Sequence, residues 1–118
     1  ALRFWGGTPS VYPFCIASTS LEFVGNLGVD KIRQHNVKLC DKIIGSLEKG
    51  ELISPVESNS RSGTLIIHFG AKHEQITEKL RIQAVHFDSR SKGIRLSPHI
   101  YNTEAQVDVL TQLIDNSR

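Results

Sequence analysis

The sequence predicts an α+β fold: a two-layer α/β sandwich with a small, mainly antiparallel sheet and helices on one face. The first part of the chain carries two helix-type patterns of apolar residues at three- and four-residue spacing. The remainder mixes short β-branched runs with two more helix-type patterns, joined by short connections. Because 118 residues is a usual length for one domain, we expect a single core.

The first helix is expected over about residues 10–25. Its apolar or small face comprises Val11, Phe14, Cys15, Ser18, Leu21 and Val24. Pro13 must lie in the first turn, because a proline further inside would remove a backbone donor and clash with the preceding turn. Pro9 or Ser10 is therefore the expected cap, and the glycine-containing residues 25–28 end the helix.

A second helix is expected from a cap at Asp30 to just before Gly50. Its apolar stripe comprises Ile32, Asn36, Leu39, Cys40, Ile43 and Leu47. Cys15 and Cys40 thus both lie on predicted core faces and lack the Cys-x-x-Cys spacing of redox or zinc sites. We expect both to be buried free thiols.

The middle of the chain is expected to alternate strands with a short helix. Residues 52–56 and 64–69 are rich in β-branched residues and predict two strands around a polar turn. A short helix is expected over about residues 72–82, followed by strands at 84–87 and 93–96 that flank a turn.

The last helix is expected to begin with a capping box, in which Thr103 and Gln106 satisfy each other's exposed backbone amides. Its buried face comprises Val107, Leu110, Leu113 and Ile114.

Composition excludes two classes of partner. The net charge of +2 is too small and too evenly spread for a nucleic-acid binder. No apolar run approaches the roughly 20 residues that span a bilayer, so we expect no membrane insertion. No secretory signal is visible, which makes the cytoplasm the expected location.

No complete catalytic or metal site is apparent from the residues alone. The histidines lack the spacing of metal ligands on a shared face; they are His35, His68, His73, His86 and His99. A cysteine and a histidine could form a nucleophile and its base, but cysteines on core faces favour inert thiols. We therefore expect neither catalytic residues nor a metal on this chain.

Two features are suited to binding anions, and each has a simpler explanation. The Gly6-Gly7-Thr8-Pro9 run before a helix could contact a phosphate, although a glycine turn and a helix cap explain it equally well. Arg95 lies between Ile94 and Leu96, so its planar fork points away from their buried face and could hold a carboxylate. The pattern alone favours a solvated or salt-bridged surface arginine.

Two segments taken together resemble a known family. Residues 3–10, Arg-Phe-Trp-Gly-Gly-Thr-Pro-Ser, and residues 93–103, Gly-Ile-Arg-Leu-Ser-Pro-His-Ile-Tyr-Asn-Thr, look like two signatures of class V aminotransferase-type enzymes. These are pyridoxal-phosphate enzymes of fold type I, and the chain resembles the kynureninase and cysteine desulfurase branch. Residues 28–33 resemble the family's linker helix, and Asp-Ser-Arg at 88–90 strengthens the similarity to kynureninases.

The resemblance implies roles for five residues. Arg95 matches the arginine that binds the substrate's α-carboxylate. Gly7 and Thr8 match the loop that reaches the cofactor phosphate of the neighbouring subunit, which implies a homodimer with a shared active site. Tyr101 and Asn102 match positions that shape the turn into the last helix.

The resemblance also implies a missing part. Residues 1–118 would form a single C-terminal small domain, with 1–27 as the connecting segment and helix from a large domain that carries the cofactor lysine. No lysine here has a matching context; they are Lys31, Lys38, Lys42, Lys49, Lys72, Lys79 and Lys92. The parent enzyme would therefore use pyridoxal 5'-phosphate on an amino-acid substrate, while this chain alone is expected to bind no cofactor covalently.

Two other functions remain open from the sequence. The chain could be a stand-alone α/β module whose Arg95 loop binds an anionic ligand or a peptide terminus. It could also be a structural interaction domain that makes contact through Phe4 and Trp5. The reaction type of an enzyme parent is equally open, among transamination, β-elimination, desulfuration, epimerisation and kynurenine hydrolysis.

Overall fold

The computed structural model describes Gly7 and residues 10–117, and the chain divides into two compact units, Ala1–Ile32 and Arg33–Arg118. The helices are α1 (Val11–Leu27), α2 (Val29–Gly45), α3 (His73–Ile82) and α4 (Glu104–Asp115). The strands are β1 (Leu65–Ile67), β2 (Asp88–Arg90) and β3 (Gly93–Leu96). The predicted α+β class, with a small antiparallel sheet, is confirmed.

Helix α1 confirms the first predicted helix, with Pro13 in its first turn. It ends at Gly28, whose φ of 85° suits glycine and whose N–H donates to the carbonyl of Val24 at 3.0 Å. No residue of α1 is buried, because the described part of the first unit, Gly7 and residues 10–32, contains only α1 and the first turn of α2 and so offers no layer that could cover a face of α1. The prediction of a buried thiol at Cys15 is wrong, since this cysteine is exposed.

Helix α2 confirms the second predicted helix and its buried stripe. Asn36, Leu39, Cys40 and Ile43 are buried, and burial raises the pKa of the Cys40 thiol. The predicted bounds need correction, because Asp30 is the second helical residue rather than a cap and the helix ends at Gly45.

The sheet has the order β1-β3-β2, with both pairs antiparallel. Leu65 lies opposite Leu96, and Ile67 lies opposite Ile94. All four side chains are buried in the core with residues of α2, α3 and α4. The three helices of the second unit therefore cover this one face of the sheet.

Two predicted strands are wrong. Residues 52–56 contribute only a bridge between Leu52 and Ile67, and Pro55 has no N–H with which to extend it. Residues 84–87 form no strand because they close α3: the N–H of Val85 donates to the carbonyl of Leu80 at 2.9 Å, and Ala84 has a φ of 56°. The strand begins at Asp88 instead.

Gly93 allows β3 to approach β1 closely. Its φ is 145°, and a Cβ atom here would lie 2.2 Å from the carbonyl oxygen of Ile67. Only glycine fits at this position.

No helix among residues 10–117 is both long enough and apolar enough to span a bilayer.

The predicted capping box of α4 is confirmed. The N–H of Gln106 donates to the Thr103 hydroxyl at 3.3 Å, and the N–H of Thr103 donates to the Gln106 side chain at 3.0 Å. Two amides at the start of the helix are thereby satisfied.

Replacing Thr103 with alanine is expected to destabilise the domain by about 1 kcal/mol, because the N–H of Gln106 loses its acceptor. Urea unfolding measures this change. Thr111→Ala, inside the same helix, serves as the control, since Thr111 donates only to the Asp108 carbonyl and alanine favours helix. Equal midpoints for Thr103→Ala and the original chain would contradict the cap.

Candidate functional site

Arg95 lies on the face of the sheet opposite the core. It sits in the middle of β3, the central strand, between the buried Ile94 and Leu96. Because neighbouring residues of a strand point to opposite faces, its side chain leaves the core, and 38% of it is exposed. The predicted orientation is thus observed.

Asp88 lies directly opposite Arg95 across the β2–β3 pair. Its Oδ2 accepts a hydrogen bond from Nη2 of Arg95 and a second one from Nη2 of Arg90 at 3.3 Å. One carboxylate therefore joins two guanidinium groups, and we call Asp88, Arg90 and Arg95 the hairpin cluster. In the sequence, Asp88 and Arg90 stand in one short run, but nothing there suggests the link to Arg95.

The hairpin cluster has a net charge of +1 from two arginines and one aspartate. The hydrogen bond and the charge of Arg95 lower the pKa of Asp88 below its ordinary 3.8, so the carboxylate stays ionised at neutral pH. The cluster thus keeps an excess positive charge that suits a single anion.

Donors of Arg95 remain for such an anion. A guanidinium carries five N–H groups, and Asp88 contacts only Nη2. The Nε atom is covered from solvent and lacks a hydrogen-bond partner, and no described residue bonds to Nη1. Nη1 is therefore the terminal nitrogen of Arg95 that Asp88 leaves unengaged among the described residues.

The turn after β3 is held by its own polar groups and by α2. The side-chain oxygen of Asn102 accepts from the N–H of His99 at 2.9 Å, and the backbone N–H of Asn102 donates to the carbonyl of His99 at 2.9 Å. Nε2 of His35 lies 2.9 Å from the carbonyl oxygen of Asn102. Tyr101 is 76% exposed, with its ring centroid 4.7 Å from that of His99. Asn102 thus shapes the turn, as expected.

The predicted phosphate contact can be located only in part. Gly7 is an exposed residue in a bend, whereas Thr8 and the aromatic Phe4 and Trp5 lie outside the described residues. Ser10 occupies the cap position of α1, but its side chain makes no capping hydrogen bond. Gly7 and Arg95 belong to different units of the chain.

His68 and His73 form a stacked pair that the sequence did not suggest. Their ring centroids lie 4.3 Å apart with planes 8° from parallel. Nδ1 of His68 accepts from the N–H of Gly70 at 3.1 Å, and Nδ1 of His73 accepts from that of Phe69 at 3.4 Å. Partial burial, and to a lesser extent the charge of His68, lower the pKa of His73 below its ordinary 6.5.

Within the described residues, no group of three or more histidine, cysteine, aspartate or glutamate side chains is arranged to hold a metal ion.

Comparison with known proteins identifies a relative of this chain. The chain is similar to an aminotransferase. It is 29% identical over 108 residues to the uncharacterized aminotransferase YcbU of Bacillus subtilis, an alignment that covers 91% of this chain. The chain spans only 29% of the length of that relative. No family model matches the chain, and no solved structure matches it significantly.

The stability of the domain is expected to fall between pH 7.5 and pH 5. Because the pKa of His73 is lower in the folded chain, the unfolded chain binds the proton more readily. The contribution of His73 to the free energy of unfolding is therefore fully present above about pH 6.5, the ordinary pKa of histidine, and is lost as the pH falls through the lower pKa of the folded chain. Urea unfolding at both pH values measures the loss, which His73→Gln should reduce. His86→Gln, at an exposed position, is the control. An equal loss in His73→Gln and the original chain would contradict this account.

Proposed function

We propose that this chain is the C-terminal small domain of a pyridoxal-phosphate enzyme of the class V aminotransferase type. The observation that carries the proposal is the similarity of 91% of the chain to 29% of the length of an aminotransferase. A match of this kind is what one domain of a longer enzyme would give. The two quoted signatures, at residues 3–10 and 93–103, support the class V assignment.

In this proposal Arg95 binds the carboxylate of an amino-acid substrate. The guanidinium sits on a central strand, with Asp88 at one terminal nitrogen and no described residue bonded to the other terminal nitrogen. A planar fork with parallel donors suits a carboxylate better than an ammonium group does. Arg95 lines neither of two clefts, one near α3 and one near the 48–53 segment. The remaining walls would come from the larger part of the enzyme.

Helix α1 supports a longer parent. It exposes large apolar side chains, among them Val11 at 69%, Tyr12 at 76%, Leu21 at 71% and Phe23 at 57%. Water-exposed apolar surface of this extent is typical of a helix that packs against a further layer. We infer that residues 1–27 connect to a preceding large domain and that α1 packs against it.

The described residues fit the edge of a cofactor site rather than its centre. Gly7 is exposed before the N-terminus of α1, where backbone N–H groups favour a phosphate. Lys38 and Lys42 are engaged by Glu104 and Asp108, each at 2.6 Å. Pyridoxal phosphate, when bound by the parent, supplies the electron sink for the reaction. Gly7 and Thr8 would contact its phosphate across a homodimer, while Arg95 would orient the substrate.

The finer assignments belong to the same proposal. Kynureninase chemistry rests on the resemblance of residues 88–90 and of the Arg-x-x-Pro-x-x-Tyr-Asn run from Arg95 to Asn102, while desulfurase chemistry stays one of the open reaction types. A stand-alone module for an anionic ligand would use the same positive hairpin cluster, without any cofactor.

The 118-residue chain is expected to form no stoichiometric covalent adduct with pyridoxal phosphate, because none of its lysines lies in a matching context. Borohydride reduction after incubation with the cofactor, followed by mass spectrometry, tests this. Adducts spread thinly over several lysines are expected from solution chemistry. A full equivalent on one specific lysine would overturn the assignment of the chain as a domain without the cofactor lysine.

In the parent enzyme, Arg95→Lys is expected to lower kcat/KM roughly ten- to a hundredfold, because the flexible point charge of lysine loses the directed hydrogen bond that Nη1 of the fixed guanidinium would donate to the carboxylate. Steady-state kinetics measures this, and the visible absorbance of the cofactor should be unchanged. Arg81→Lys on α3, at an exposed arginine, is the control. Equal efficiency of Arg95→Lys and the original enzyme would give Arg95 a structural role only.

A further inference from the structure

We infer that Asp88 is a positioning residue for Arg95: it fixes the guanidinium so that its free terminal nitrogen faces the substrate's carboxylate. This inference rests on the proposed function of Arg95 and adds to it a second residue that does not itself touch the substrate. In the sequence, Asp88 stands out only as part of the Asp-Ser-Arg run at residues 88–90.

The β2–β3 hairpin places Asp88 at this position. The two residues Ser91 and Lys92 connect the strands, and the register pairs Arg90 with Gly93 and Asp88 with Arg95. Directly opposed residues of an antiparallel pair point to the same face, with Cβ atoms about 5 Å apart. The carboxylate therefore meets the guanidinium because of backbone register and not because of a flexible loop.

The contact restricts Arg95 more than an isolated surface pair would. Asp88 holds Nη2, Nε is covered from solvent, and Arg90 bonds to the same Oδ2 atom at 3.3 Å. Arg90 thus limits the movement of the carboxylate that holds Arg95. An unrestrained arginine would have to lose its rotamer freedom when it binds a ligand, and the hairpin cluster has already removed part of that freedom.

The direction in which removal of Asp88 changes anion affinity distinguishes a positioning role from a simple effect of charge. Removal of a carboxylate next to an arginine makes the local potential more positive, so charge alone predicts tighter binding of an anion. Loss of a positioning contact predicts weaker binding, because the fork is no longer fixed. Asp88→Ala therefore gives opposite results under the two accounts.

The test uses NMR of the 118-residue chain at low ionic strength, with sodium acetate as the probe of carboxylate binding. Two quantities are followed at the Nε–Hε group of Arg95: its 15N order parameter without acetate, and its chemical shift during the titration. The variants are Asp88→Ala, Asp88→Glu as the conservative replacement, and Glu78→Ala as the control. Glu78 is matched because its carboxylate also pairs with an arginine at an exposed position, Arg81 on α3.

The expected result is an ordered Nε–Hε group in the original chain that falls below an order parameter of about 0.6 in Asp88→Ala. The dissociation constant for acetate should rise roughly two- to fivefold in Asp88→Ala, the range of an exposed charge pair. Glu78→Ala should leave both quantities unchanged, and Asp88→Glu should recover part of the loss.

Equal or tighter acetate binding in Asp88→Ala, or an unchanged order parameter, would overturn the positioning role. Failure of the proposed function looks different. If acetate causes no shift at Arg95 in the original chain while the order parameter still depends on Asp88, Asp88 positions Arg95 but Arg95 is not a carboxylate site.

Discussion

The second unit of the chain depends on one buried amide, that of Asn36 on α2. Its Nδ2 donates to the carbonyl of Gly63 at 3.0 Å and to the carbonyl of Pro98 at 2.8 Å. Gly63 precedes β1 and Pro98 follows β3, so the amide connects one helix to both strands of the central pair. The approach is close enough that a Cβ at position 63 would lie 2.9 Å from Oδ1 of Asn36. Replacement of Asn36 by an apolar residue would leave both carbonyls without a donor, which is costly in a buried site. Asn36 therefore fixes the position of α2 over the sheet.

The same helix fixes the turn that follows Arg95. Asn36 holds the carbonyl of Pro98, and His35 contacts the carbonyl of Asn102. One and two turns further along α2, Lys38 and Lys42 pair with Glu104 and Asp108 of α4 at 2.6 Å. The exposed ion pairs each contribute little to stability. A shift of α2 along the sheet would break the hydrogen bonds of the buried Asn36 amide, so this amide fixes the register of the helix. The position of Arg95 is therefore set by core packing on one side of β3 and by α2 at its end.

Sequence patterns predicted the parts of this structure that local physics decides. The buried stripes of α2 and α4, the strand around Arg95 and the Thr103 box follow from spacing and capping chemistry, and each is observed, whereas the predicted core face of α1 is exposed. The strand at 84–87 failed because the turn that closes α3 at Ala84 overrides the β-branched and aromatic residues there. In the sequence, Asn36 is visible only as a polar residue within the apolar stripe of the second helix, and nothing there indicates the two carbonyls to which it donates. The contact between Asp88 and Arg95 depends on hairpin register, which a strand prediction ending at residue 87 could not supply.

Of two exposed surfaces, only one distinguishes a domain of a longer enzyme from a stand-alone module. The hairpin cluster has an excess positive charge and an open arginine donor, which either function would explain. The exposed apolar residues of α1 are different, because a module that functions alone gains nothing from Val11, Tyr12 or Leu21 in water and would be prone to aggregate. A parent enzyme accounts for both surfaces, since α1 would pack against a preceding domain and Arg95 would face a substrate held there. The proposal of a domain is therefore favoured over that of a module by α1 rather than by Arg95.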